Sequence, residues 1–192
     1  MDSQRYAPTA IALHWIVVAL VFALYALGWY MVGIPKGTPP VAYYYNLHKS
    51  IGIVAAVPIV LLLFWRATHV PPPFPAAVPA WEARAAHVSH VLFYVCLVVL
   101  IASGFIESNF TKFGIRFFGY SLPRLGSEDK TLYQIFNRIH VYCSYLFIAL
   151  IAIHVVAAFK HLLVDRNGVF QRMLPGSSRG DAQTRQRAES ST

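Results

Sequence analysis

The sequence predicts an all-α integral membrane protein, a four-helix bundle. Two observations carry this. The 192 residues are 57% hydrophobic, with a mean hydropathy of +0.51 and only 12% charged residues, about half the charged share of a soluble domain. And four apolar segments reach the roughly 17–25 residues that a membrane helix needs. They run from about Ile11 to Val32, Leu47 to Thr68, Val88 to Ile106 and Arg138 to His161.

The first segment is long enough to span and has no small-residue cleavage site after it, so it reads as a span and not as a removed leader. GIPKGTPP (33–40) breaks the helix after it. VPPPFPAAVP (70–79) does the same between spans two and three, because proline lacks the donor that continues a helix. Glu107 to Asn137 reads as a longer polar-aromatic loop. Residues 1–175 form one four-span domain, and the Ser/Arg-rich stretch 176–192 reads as a disordered cytoplasmic tail. Cys96 and Cys143 both fall inside spans and read as small packing residues. Trp15, Trp29, Tyr30, Tyr43, Tyr44, Tyr45 and Trp65 sit at span ends, where aromatic rings form an interfacial belt.

Four spans put both termini on one side. Nine Lys and Arg fall on that side, counted with the 70–87 loop, and seven on the other. The excess favours cytoplasmic termini in a bacterial inner membrane. A net charge of +8 suits a surface facing anionic lipid, and no nucleic-acid motif accompanies it.

The chemistry lies in the histidines. His140 and His154 are fourteen residues apart in one span. On a helix that is about 21 Å of rise and about 40° short of four full turns, so both rings point the same way, one near each boundary. Ionisable groups at that depth are rare and usually functional. Placed by depth, His48 shares the outer level with His140. His14 shares the inner level with His154, and His87 and His90 lie nearby. Each level can supply two imidazoles from different helices, as a six-coordinate, low-spin haem requires. With no CxxCH in the chain, any haem is held without thioether bonds. A bare cation would want three or four ligands, often carboxylate or thiolate. No acidic residue is expected deep in a span, which also argues against a proton-coupled transporter. His69 and His161 read as solvated interfacial residues. Gly52 and Gly104 could make room for a porphyrin or could serve close helix packing.

At this point the chain resembles the bacterial cytochrome b561 family, small di-haem membrane cytochromes that include superoxide oxidase. More distantly it resembles the cytochrome b subunits of formate dehydrogenases and nickel-iron hydrogenases. The resemblance rests on IALHW (11–15), NLHKSIG (46–52), FWRATHVPPPFP (64–75), AAHVSHVLFY (85–94), RIHVYCSYLFIALIAIH (138–154) and RMLPG (172–176). It implies two b haems with axial pairs His14–His154 and His48–His140. It also implies that His87 and His90 lie near the inner haem or a quinone without ligating iron. Arg66 and Arg84, at the same level, are candidate partners of a quinone or of haem propionates.

The expected function is electron transfer between a one-electron donor and quinone, most specifically superoxide oxidation coupled to ubiquinone reduction. The outer loop carries Lys112, Arg116, Arg124, Lys130 and Arg138 against Glu107, Glu128 and Asp129; five positive less three negative charges leave +2, which would attract an anion. The alternatives are a haem b subunit serving a partner dehydrogenase or cytochrome c, and a non-catalytic haem-binding membrane protein.

Overall fold

A computed structural model describes residues 5–175 and gives the predicted bundle. The four long helices are α1 (Pro8–Gly33), α2 (Pro39–Thr68), α3 (Ala80–Asn109) and α4 (Lys130–Phe159). Proline occupies the first positions of α1 and α2, where its missing donor costs nothing. Asp129 caps α4, its carboxylate accepting from the backbone N–H of Thr131 and Leu132 at 2.8 and 3.0 Å. The proline-rich stretch after Thr68 carries no helix until Ala80. The stretch expected to form a tail lies outside the described residues.

Only 11–22% of each span's most apolar window is buried within the chain. The remaining apolar surface faces outward, which lipid tolerates and water does not. α1 packs on α2 and α3 on α4, with a smaller α2–α3 contact. The α1–α4 and α2–α4 pairs are not closely packed. The termini meet on one side. Tyr6 N–H donates to the Arg172 carbonyl at 3.4 Å, and the Trp15 indole donates to the Met173 carbonyl at 2.7 Å.

The helices run past the expected boundaries, and α3 itself starts at Ala80, eight residues before Val88. α3 runs through Glu107 to Asn109, and α4 starts at Lys130, so the expected 107–137 loop shrinks to residues 110–129. α2 starts eight residues earlier than expected, at Pro39. Polar ends are legal helix once they leave the hydrocarbon, so hydropathy marks only the apolar middle of each element.

The 110–129 connection contains a small antiparallel ladder, β1 (Arg116–Phe117) on β2 (Tyr120–Ser121). Its turn places Phe118 at φ 47° and Gly119 at φ 99°, the two positive angles of a tight hairpin turn. A phenylalanine there is strained. Ser50 on α2 holds it: its hydroxyl accepts the Phe118 N–H at 2.9 Å and shares its one hydrogen between the Asn46 and Arg116 carbonyls, 2.8 and 3.1 Å away. The hairpin is thereby tied to α2 two residues from His48.

Candidate functional site

The core is a thin apolar layer at mid-bundle, built from Val17 and Val21 (α1), Ala55 and Ile59 (α2), Cys96 and Leu97 (α3) and Phe147 (α4). Phe147 lies seven residues from His140 and seven from His154. Its ring stacks on Tyr25 (centroids 6.5 Å, planes 8° apart) and meets Phe93 edge-on at 5.4 Å. This layer separates two polar levels.

At the hairpin level, His48 (α2) and His140 (α4) face each other with centroids 6.4 Å apart. The His140 Nδ1 lies 3.0 Å from the Leu100 carbonyl and 3.2 Å from the Ser103 hydroxyl. A carbonyl only accepts, so Nδ1 carries the hydrogen and Nε2 keeps its lone pair. His48 Nδ1 is buried with no hydrogen-bond partner, while its ring also meets the Leu24 carbonyl. A neutral imidazole so placed keeps one ring nitrogen available as a metal ligand.

Glycines make room for both rings. A Cβ on Gly104 would come within 3.0 Å of His140 Cε1, and one on Gly28 within 3.6 Å of His48 Cε1. A Cβ on Gly52 would meet nothing within 4 Å, so Gly52 is not there for close helix packing.

At the termini level, three imidazoles converge. His90 (α3) and His154 (α4) have centroids 5.9 Å apart, and His14 (α1) interacts electrostatically with both. Phe93 packs on the His154 ring at 5.4 Å. Arg66 lies near Tyr94, and its guanidinium donates to the His69 carbonyl at 3.5 Å. An open cleft of about 340 Å³ runs beside them, lined by Arg66 to Pro71, His87 and Tyr94. Arg84 and His90 do not line it, and Arg84 is exposed.

Two metal–nitrogen bonds of about 2 Å each, with about 1 Å from each nitrogen to its ring centre, place trans imidazole centroids roughly 6 Å apart. The His48–His140 spacing fits one iron. So does His90–His154, but α3 and α4 pack closely against each other, which leaves a flat macrocycle no passage between them. α1 and α4 do not.

His69 is exposed and stacks on Trp65 at 3.7 Å, the interfacial role expected of it. His161 is not solvated. It lies in a π-helical turn (Lys160–Val164) after α4, with its Nδ1 2.9 Å from Asp165. Glu82, His161 and Asp165 converge closely enough to suggest a metal site. However, Lys160 Nζ lies 2.9 Å from Glu82 and 2.8 Å from Asp165. An ammonium already balances both carboxylates, so the group is an ionic clamp between α3 and the end of α4.

Glu107, expected in the loop, lies instead in the last turn of α3 with Oε2 buried and unpartnered, near Asn137 and Lys49. Sequence reasoning also passed over Ser103, Gly28 and Phe147. Only Phe147 left a signal, its position midway between the two histidines.

The model of the prokaryotic cytochrome b561 family matches residues 5–176. The chain belongs to that family. It is therefore a membrane haem protein of the b type with an electron-transfer role. It is 28% identical over 180 residues to cytochrome b561 homolog 2 of Escherichia coli strain K12, covering 91% of this chain and 94% of the relative. It is 25% identical over 176 residues to cytochrome b561 homolog 1 of the same organism, covering 90% and 98%. In both, the whole membrane unit is matched and not a fragment of it.

Proposed function

We propose that this cytochrome b561 family member holds two b haems, one by His48 and His140 and one by His14 and His154, and carries electrons from superoxide to ubiquinone. The observation that carries the reading is the pair of polar histidine levels on α4, each met by an imidazole from another helix and parted by the Phe147 layer. Bound haem supplies reversible one-electron storage. Held between two imidazoles, such a group would offer oxygen no open position, and the apolar Phe147 layer parts the two levels.

The chain's own groups then act at the two ends. Two superoxide anions give up two electrons and leave as two dioxygen molecules. One ubiquinone takes the two electrons with two protons and leaves as quinol. At the hairpin end, Lys112, Arg116 and Arg124 lie on the connection tied to α2 through Ser50 and would raise the on-rate of an anion. At the termini end, Arg66, His87 and Tyr94 offer donors along a cleft where a quinone carbonyl could dock. Histidine suits proton delivery because it titrates near neutral pH. With the termini in the cytoplasm of a bacterial inner membrane, superoxide would be met at the outer face and quinone at the inner.

Stopped-flow mixing of purified protein with superoxide tests this. Haem reduction should be fast, persistent without quinone and rapidly reversed with it. Haem that superoxide leaves oxidised would sink the reading. A second reading, electron delivery by a partner redox protein, draws on the exposed Phe113, Phe118 and Tyr120 of the same connection. Reduction by such a partner but not by superoxide would establish it.

A further inference from the structure

Ser103 is one of the most buried side chains, 2% exposed. It sits one turn after Val99 on α3, and its hydroxyl lies 2.6 Å from the Val99 carbonyl, 3.3 Å from the Leu100 carbonyl and 3.2 Å from His140 Nδ1. A hydroxyl has one hydrogen and two lone pairs. The 2.6 Å contact to Val99 takes the hydrogen, since a carbonyl cannot donate. The oxygen is then left to accept. His140 Nδ1–H, already fixed as a donor by Leu100, is thus shared between two acceptors, a backbone carbonyl and a hydroxyl whose own donation to Val99 polarises its oxygen.

We propose that Ser103 is a positioning residue for His140, holding its Nδ1–H tautomer with the Nε2 lone pair free and making it a more electron-rich ligand than an imidazole without that second acceptor. The inference rests on His140 being an axial ligand. A stronger acceptor on the far nitrogen gives the ring more imidazolate character. That favours the oxidised metal and lowers the potential of the group His140 binds. His154 stands in contrast: its ring is packed by Phe93 and His90. The consequence is direction. The level beside the hairpin is biased toward staying oxidised, and electrons entering there run on toward the termini level.

The test is Ser103→Ala and Ser103→Thr in the full-length haem-loaded protein, with the potential of each haem read by spectroelectrochemistry and its ligand field by low-temperature EPR. Ser103→Ala should keep two haems and move the hairpin-level reduction equilibrium toward the reduced form by about one hydrogen bond's worth, roughly three- to tenfold. The other haem should not move. Ser103→Thr, which keeps the hydroxyl, should restore the wild-type value. Unchanged potentials in Ser103→Ala, equal shifts in both haems, or no recovery in Ser103→Thr would overturn the proposal. Loss of haem in both variants would make Ser103 a packing residue only, which also overturns it. His140→Ala separates the two levels of inference: if it leaves both haems in place, the ligand reading fails first.

Discussion

The two histidine levels use the same residue type on the same helix, yet they are built differently. At the hairpin level the pair is defined. His140 is locked by two acceptors and Gly104 is pressed against its ring, while Ser50, two residues along α2 from His48, holds the strained hairpin. At the termini level three imidazoles, those of His14, His90 and His154, lie together, and polar groups lead from them to an open cleft. A level that only has to pass electrons can be rigid. A level that must also hand them to a substrate with protons needs a spare titratable group and a way in.

The sharpest break in that contrast is ligand removal. His140→Ala and His48→Ala should each drop non-covalent haem from about two to about one per chain and remove the same haem, measured by pyridine haemochrome. His14→Ala and His154→Ala should remove the other. The termini level is where this can go wrong: if His90→Ala, and not His14→Ala, empties it, the third imidazole is the ligand.

Crowding comes next. Gly104→Val should eject the hairpin-level haem, because even a Cβ there lies 3.0 Å from His140 and the ring's Nδ1 is held in place by Leu100 and Ser103. Gly28→Ala meets His48 at ordinary contact distance and should keep most of its haem. Equal losses from both variants would mean that the hairpin level is no tighter around His140 than around His48.

The cleft gives a smaller, more specific effect. His87→Ala in the cleft and His90→Ala behind it should leave haem content intact and slow quinone-dependent haem oxidation severalfold, well short of the roughly 10²-fold that a committed proton-transfer group contributes. Unchanged oxidation in both would move the quinone to the hairpin side and erase the functional difference between the levels.

The least effect is expected at the clamp. The Lys160 ammonium hydrogen-bonded to Asp165 holds that carboxyl below the usual carboxylate range. A depressed carboxyl stabilises the folded state above its unfolded value of about 3.9 and loses that contribution as pH falls through the lower folded value. Thermal midpoints of the wild type should therefore decline slightly more steeply in acid than those of Asp165→Asn. Parallel curves would remove the clamp from the account of the termini side.

The sequence by itself determined the four spans, the shared side of the termini and the two levels. Hydropathy over about 20 residues and a fourteen-residue spacing on a 3.6-residue helix are local properties, readable without knowing any neighbour. The lengths of the helix ends and the place of Glu107 were not legible, because outside the hydrocarbon a polar residue no longer distinguishes helix from loop. Only the tertiary structure decided which atoms surround each ring. That His140 Nδ1 meets Ser103, that Gly28 and not Gly52 faces a histidine, and that three imidazoles rather than two meet near the termini all depend on how α1, α3 and α4 are rotated about their axes. That rotation is set by side-chain packing between helices, and no single helix encodes it.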